Sequence, residues 1–111
     1  ASVSRGPPPR APFFHRVPGT DFVVDGFRWR PRLGFLSHFH SDHFVGLHQE
    51  YRGMIYTTAL TARLVKRRLG VKNSQIHILR DDGEEEDVEG VGVRVLPANH
   101  CPGAVMFVFR V

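Results

Sequence analysis

Three histidines and an aspartate fall within six consecutive residues, His38-Phe39-His40-Ser41-Asp42-His43, directly after an apolar run at 33–37. A single histidine is commonly a surface or core residue, but four metal-binding side chains rarely cluster at this spacing for packing reasons. In an extended segment, residues two apart project to the same side, so His38 and His40 are predicted to bind one ion. The sequence therefore predicts a fold in which a strand ends at a metal site.

Asp42 and His43 are predicted to serve a neighbouring position. If a helix starts at Asp42, with Phe44, Val45 and Leu47 packed inward, the two ligands reach a place where a second ion can sit. The motif alone therefore predicts one or two adjacent metal ions.

His100, in the turn at 99–103 between two expected strands, is the predicted third ligand of the ion bound by His38 and His40. Three imidazoles leave one coordination position for water, as a catalytic zinc site requires. Neutral imidazole and carboxylate suit Zn²⁺, with Mn²⁺ or Fe²⁺ possible. Cys101 is an alternative ligand, although its small apolar neighbours favour a buried structural thiol.

Net charge is +4, from 15 basic and 11 acidic residues, but seven of the acids crowd residues 81–89. The rest of the chain is strongly basic, which favours a polyanionic partner such as nucleic acid. Basic composition alone does not establish this partner. With a single cysteine, no internal disulfide forms, and a reducing compartment is favoured. No apolar run approaches the roughly 20 residues of a membrane span, so we expect no membrane association.

Residues 1–12 are rich in proline and arginine and are predicted to be a disordered tail or the end of a linker. The domain is expected to cover 13–111, with mostly β elements and two interspersed helices in an α/β layered fold. Alternating or β-branched patterns predict strands at 22–29, 33–37, 54–57, 76–79, 91–96 and 104–111. The acidic segment 81–89 is expected to be a loop.

The clearest helix signal covers residues 58–69. Thr57 or Thr58 is suited to cap its start, and Gly70 to end it. The predicted apolar stripe consists of Leu60, Leu64 and Val65. The basic last turn suits the helix dipole, and a solvated face explains it without a ligand.

Two motifs carry a family resemblance. The segment 38–43, followed by Gly46-Leu47, resembles the signature of the metallo-β-lactamase superfamily, and Asn-His-Cys-Pro-Gly-Ala at 99–104 resembles its Artemis/Apollo-like DNA cross-link repair nucleases, members of the β-CASP group. The lead-in is most similar to the interstrand cross-link repair 5′ exonuclease branch, through Pro18-Gly19-Thr20, Phe22, Val24-Asp25 and Phe27. The likeness covers about residues 13–111.

The resemblance implies the N-terminal part of a metallo-β-lactamase αββα sandwich, truncated before the β-CASP insertion and the C-terminal half. It implies that His38, His40 and His100 bind the first metal. Asp42 and His43 would act as the catalytic pair that serves the second metal or positions the attacking water. Asp25 matches an early aspartate of the superfamily and, with Asn99, would support the ligands by hydrogen bonds. Without the resemblance, Asp25 also fits an ordinary carboxylate at a strand end.

The implied function is a zinc-dependent phosphodiesterase of the nucleus, a 5′-to-3′ exodeoxyribonuclease that uses metal-activated water in interstrand cross-link and double-strand break repair. Its implied partner is DNA, either damaged, single-stranded or at 5′ ends. Because later ligands of the family are absent by Val111, the 111-residue chain alone is expected to be inactive. The alternatives are an RNA-processing or thioester hydrolase of the same superfamily, or an incomplete fragment that only binds nucleic acid or a protein partner.

Overall fold

The structure is a computed structural model and describes residues 10–98 and 103–111. Four parallel strands form one sheet in the order β1-β2-β3-β4, and three antiparallel strands form a second sheet in the order β5-β6-β7. In chain order the elements are β1 (Val23–Val24), β2 (Leu33–Phe35), α1 (Ser41–Phe44), β3 (Met54–Thr57), α2 (Ala59–Leu69), β4 (Ile76–Ile78), β5 (Glu86–Val88), β6 (Val91–Pro97) and β7 (Val105–Arg110). Short 3₁₀ helices occupy Phe13–His15, Phe27–Trp29 and Asn73–Gln75.

The parallel sheet separates two apolar clusters. Leu33 and Phe35 of β2 lie in the cluster shared with the antiparallel sheet, whereas Leu36 and Ile55 lie in the cluster shared with Val65 of α2. The alternation of side chains along each strand produces this division. The layer order of helix, parallel sheet and antiparallel sheet confirms the predicted α/β class and is compatible with a truncated αββα sandwich.

The predicted strand at 22–29 is wrong beyond its first residues. The chain leaves β1 at Asp25, whose backbone is left-handed at φ 52°, and then forms the 3₁₀ helix Phe27–Trp29. Phe27 turns back and is fully buried against β2. A Cβ on Gly34 would lie 2.5 Å from the Phe27 ring, so the glycine is what lets the ring pack flat on the strand.

The predicted helix after β3 is confirmed as α2, with Thr58 at its N-cap and a left-handed Gly70 at its C-cap. Thr58 forms no side-chain capping bond. The predicted stripe is wrong at Leu60, which is half exposed, because the buried positions of α2 are Thr61, Ala62 and Val65.

The acidic segment is not entirely a loop, because Glu86–Val88 forms β5 and pairs with β6. Glu89 and Gly90, both with positive φ, make the two-residue turn of this hairpin, a geometry that suits the twist of antiparallel strands. Val88 is buried in the core between the sheets. The sequence does not predict this edge strand, because the many acidic residues of 81–89 show no strand pattern.

Arg32 joins three separate parts of the chain at the start of β2. Its guanidinium donates two hydrogen bonds to the Asp21 carboxylate (2.8 and 3.0 Å) and two to that of Glu89 (3.0 and 2.7 Å). These hydrogen bonds lower the pKa of both carboxyl groups, and the two carboxylates raise the pKa of Arg32. The contact connects the β5–β6 turn to the parallel sheet.

Replacing Phe35 with alanine tests the core between the sheets. The ring is fully buried, with its centroid 5.0–5.4 Å from those of Phe22, Tyr56, Phe107 and Phe109. We expect Phe35→Ala to lower the free energy of unfolding by about 3–5 kcal/mol in urea titrations. Phe13→Ala, which removes a ring that is 77% exposed, should change it by less than about 0.5 kcal/mol. Equal effects would contradict this packing.

Acid should abolish the contribution of Arg32. A carboxylate whose pKa is lowered by folding stabilises the fold above its ordinary pKa, here 3.8 for Asp21 and 4.5 for Glu89, and loses that contribution as the pH falls through the lowered value. Arg32→Met should therefore have a lower Tm than the parent at neutral pH, and the difference should disappear in strong acid. Arg63→Met is the control, since Arg63 has no carboxylate partner among the described residues. A Tm difference that does not change with pH would contradict the prediction.

Candidate metal centre

Parallel pairing brings the ends of β1 and β2 to one edge of the sheet. Val24 is in register with Phe35, and the Asp25 N–H donates to the Phe35 carbonyl at 2.8 Å. Asp25 therefore lies beside Ser37, which begins the histidine segment. The carboxyl edge of an open parallel sheet is where ligands usually bind in α/β folds.

Helix α1 is a single turn that starts directly after His40. His40 is its N-cap, and the ring Nδ1 accepts a hydrogen bond from the Asp42 N–H at 3.3 Å. After α1 the chain turns at Gly46 (φ 101°), where a Cβ would lie 2.5 Å from the Phe27 carbonyl oxygen. This close approach holds the end of α1 against the 3₁₀ helix that contains Phe27.

The packing predicted for this helix is correct only in part. Leu47 is buried, and Phe44 is partly buried with its ring stacked on Phe39 at 4.5 Å. Val45 was expected to point inward and is exposed, because the helix ends there and the backbone becomes extended.

The rings of His38, His40 and His43 converge above this edge. One ring nitrogen from each lies within 4.8 Å of the other two, and the ring centroids of His38 and His43 are 4.0 Å apart. Nitrogen ligands of a tetrahedral zinc ion are about 3.3 Å apart, so the three nitrogens would have to approach one another by small side-chain rotations. His40 is exposed and the other two are partly buried, which leaves the group open to solvent. The donor set and spacing therefore fit a divalent metal.

The Asp25 carboxylate organises two of the three imidazoles. Oδ1 accepts the Ser37 N–H at 2.8 Å, while Oδ2 accepts the Ser37 hydroxyl at 2.6 Å and His43 Nδ1–H at 2.8 Å. The Ser37 hydroxyl gives its hydrogen to Asp25, so its oxygen accepts from His38 Nδ1, 2.9 Å away. In a neutral imidazole, these hydrogen bonds place the hydrogen on Nδ1 and leave the Nε2 lone pair available to a metal.

The sequence pattern does not identify Ser37 as part of this centre, because it marks Ser37 only as the last residue of a predicted strand. Its position directly before the first histidine was the available signal. A hydroxyl there can reach both a ligand and a carboxylate at the end of the neighbouring strand.

Asp42 lies apart from the group of three nitrogens. Its side chain is 85% exposed, and its carboxylate is 3.8 Å from His40 Nδ1. His43 was assigned with Asp42 to a neighbouring position, whereas its ring lies beside those of His38 and His40. The division of these residues between two ions stays a prediction.

Asn99, His100 and Cys101 lie outside the described residues, but both flanks of that segment are described. The Ala98 N–H donates to the Ala104 carbonyl at 2.9 Å, and the Val105 N–H donates to the Ser37 carbonyl at 3.0 Å. The described residues on either side of the segment therefore lie next to the start of the histidine cluster.

The remaining histidines in the described ranges have other surroundings. His15 Nδ1 bonds to the Val24 carbonyl, and His48 Nδ1 accepts the Glu50 N–H. His77 pairs with Glu86 and packs on the Tyr56 ring. The fold and the histidine group together define an α/β domain with a candidate metal centre at the carboxyl edge of its parallel sheet.

Several known proteins are similar in sequence to this chain. The chain is 43% identical to the DNA cross-link repair protein SNM1 of Arabidopsis thaliana over 115 aligned residues, which cover 99% of this chain and 24% of the relative. It is 45% identical to the human DNA cross-link repair 1A protein over 102 residues (88% and 10%), and 45% identical to the 5′ exonuclease Apollo of Gallus gallus over 98 residues (85% and 21%). No protein-family model matches the chain.

The chain belongs to the family of DNA cross-link repair proteins that these relatives represent, which confirms the predicted resemblance. It spans about a quarter or less of the length of those relatives. Among the described residues, no helix is both long and apolar enough to cross a membrane.

Replacing Asp25 with asparagine should weaken metal binding without unfolding the chain. Asparagine tolerates a left-handed backbone, so the turn after β1 is retained. The amide supplies N–H donors where His43 needs an acceptor, which favours the wrong imidazole tautomer. We expect Asp25→Asn to lower zinc affinity about 10–100-fold, measured by competition with a chromophoric chelator. Asp81→Asn is the surface control, and equal affinity in both variants would contradict the role of Asp25.

Proposed function

We propose that this chain is the metal-binding N-terminal portion of a metallo-β-lactamase-type DNA nuclease, with its β-CASP region elsewhere in the whole protein. The observation that carries the proposal is the convergence of His38, His40 and His43 at one edge of the parallel sheet. At that edge the Asp25 carboxylate accepts a hydrogen bond from His43. The proposed reaction is phosphodiester hydrolysis, in the 5′-to-3′ exonuclease direction. The name of one relative, 5′ exonuclease Apollo, supports that direction.

In this proposal His38, His40 and His100 hold the first ion, and Asp42 with His43 serves a second ion or positions the attacking water. Asn99 supports His100. The position of Ala98 and Val105 beside the histidine segment favours the inclusion of His100. The proximity of His43 to His38 suits either one shared ion or two adjacent ions.

The proposed metal is Zn²⁺, one or two ions, with Mn²⁺ or Fe²⁺ as alternatives, since all three accept imidazole and carboxylate ligands. When bound, such an ion lowers the pKa of water and stabilises charge on a phosphoryl group. The residues of the chain orient the ligands: Asp25 holds His43, and Asp25 with Ser37 holds His38. The exposed His40 leaves the approach open to a large substrate.

The proposed substrate is DNA with damage, a single-stranded region or a free 5′ end, and the proposed location is the nucleus. The names of the relatives, DNA cross-link repair proteins and a 5′ exonuclease, support this choice over the RNA-processing and thioester alternatives. The third alternative, a module that only binds nucleic acid or a protein, differs in having no need of the metal for its function.

Removing one imidazole tests the metal centre. We expect His40→Ala to lose bound zinc while keeping its fold, because a ligand is removed from an exposed position, and elemental analysis of the purified chain measures the loss. His48→Ala is the matched control, since His48 is exposed and lies outside the group. Equal zinc content in the parent and His40→Ala would refute the assignment of His40.

The same variant tests the nuclease in the whole protein. A 5′-phosphorylated, single-stranded DNA should be shortened from its 5′ end by the parent and by His77→Ala, whose histidine lies outside the group, but not by His40→Ala. Chelator should stop the reaction and zinc should restore it. Faster cleavage of RNA or of a thioester would favour the corresponding alternative, and full activity in His40→Ala would refute a metal-dependent nuclease.

A further inference from the structure

A large cavity opens at the edge of the parallel sheet opposite the histidines. Its lining comes from the segments that precede β2, β3 and β4, and includes Arg30, Arg52, Lys72 and Gln75. Because the strands are parallel, their amino ends meet at this edge and their carboxyl ends at the other. The cavity has a volume of about 1140 Å³ and is open to solvent on one side.

The floor of the cavity is fastened by side chains that join its three loops. The buried Tyr51 hydroxyl donates to the Pro31 carbonyl at 2.6 Å, and the Gln75 amide donates to the carbonyls of Tyr51 and Gly53, both at 2.8 Å. Burial raises the pKa of Tyr51, so its hydroxyl stays a donor. A Cβ on Gly53 would lie 2.3 Å from the Pro31 oxygen, so these loops are in tight contact. The shape is therefore built into the fold.

Cations dominate the rim of this cavity. Arg30, Arg52 and Lys72 are exposed, and Glu50 is the one carboxylate in the lining. Among the described residues, no carboxylate forms an ion pair with any of these three cations. Arg30 has a left-handed backbone at φ 50°, a strained conformation for this residue type that is often found at functional sites.

The acidic residues of the chain do not cancel this charge. Three of the seven acids at 81–89 already form ion pairs with arginines: Asp82 with Arg80, Glu85 with Arg110, and Glu89 with Arg32. Residues 26–75, which supply the cavity and α2, contain nine lysines and arginines but two acids, Asp42 and Glu50. The positive potential is therefore concentrated at the amino edge and on α2.

We propose that this cavity binds backbone phosphates of a single nucleic-acid strand, as an anchoring site distinct from the histidine centre; the proposal rests on the proposed action on DNA. Guanidinium groups match phosphate oxygens in a bidentate geometry, and three unpaired cations around one rim suit several phosphates of one strand. The cavity and the histidines lie at opposite ends of β2 and β3.

The test compares two triple variants with equal loss of charge. Arg30→Gln, Arg52→Gln and Lys72→Gln are combined in one chain, and Arg63→Gln, Arg67→Gln and Arg68→Gln on α2 in the control. Binding of a fluorescein-labelled 12-nucleotide oligo-dT is followed by anisotropy at several salt concentrations. The loss of three phosphate contacts should reduce the slope of log K against log salt by about 2, so a fourfold rise in salt should weaken the parent roughly 16-fold more than the cavity variant. The control should keep most of the parent's slope.

The outcomes separate this site from the metal centre. The cavity variant should retain its zinc, which assigns its loss of oligonucleotide binding to the cavity and not to the metal centre. Equal slopes in the parent and the cavity variant would overturn the cavity site alone, while a parent that does not bind oligo-dT would overturn DNA binding by this chain altogether. Complete displacement of the oligonucleotide by inorganic phosphate at matched ionic strength would instead assign the cavity to a small anion. Lys72→Gln alone, with an expected loss of about 0.7 in slope, replaces the triple variant if it does not fold.

Discussion

The three hydrogen bonds accepted by Asp25 are the interaction on which the centre depends. They connect the end of β1 to the end of β2 and to α1, so one carboxylate fixes a backbone, a hydroxyl and an imidazole. The backbone of Asp25 is left-handed, so the chain leaves the sheet at this residue. The Asp25 carboxylate therefore faces Ser37 at the end of the neighbouring strand. Partial burial would destabilise a carboxylate that had no hydrogen-bond donors. The three donors around Asp25 offset this desolvation cost.

Local patterns in the sequence predicted much of this structure. The period of α2 and its terminal glycine, the apolar β2 and β3, and the alternating β6 and β7 are all signalled within a few residues. The features that were missed depend on distant contacts. Phe27 leaves the predicted strand because Gly34 accepts its ring, and Glu86–Val88 becomes a strand because β6 supplies its partner.

The same division applies to the candidate centre. The residue types and spacing of His38, His40 and His43 predicted metal binding, since ligand chemistry can be read from side chains alone. The convergence of the three rings required α1 to be a single turn and Asp25 to accept His43, and neither follows from spacing. Ser37 was missed for the same reason, because a serine hydroxyl has no role until its neighbours are known.

The histidine centre and the contact between the two sheets differ in the length of chain that each must close. Within the histidine centre, Asp25 is 12 residues from Ser37 and 18 from His43, whereas the Arg32 contact with Glu89 spans 57 residues. The entropy cost of closing a loop rises with the logarithm of its length, so the 57-residue closure costs about 1.4 kcal/mol more than the 12-residue closure. In kinetic terms, the contacts of Asp25 with Ser37 and His43 have a low contact order and can form before the antiparallel sheet docks. Docking of that sheet then adds the hydrogen bond from the Val105 N–H to the Ser37 carbonyl.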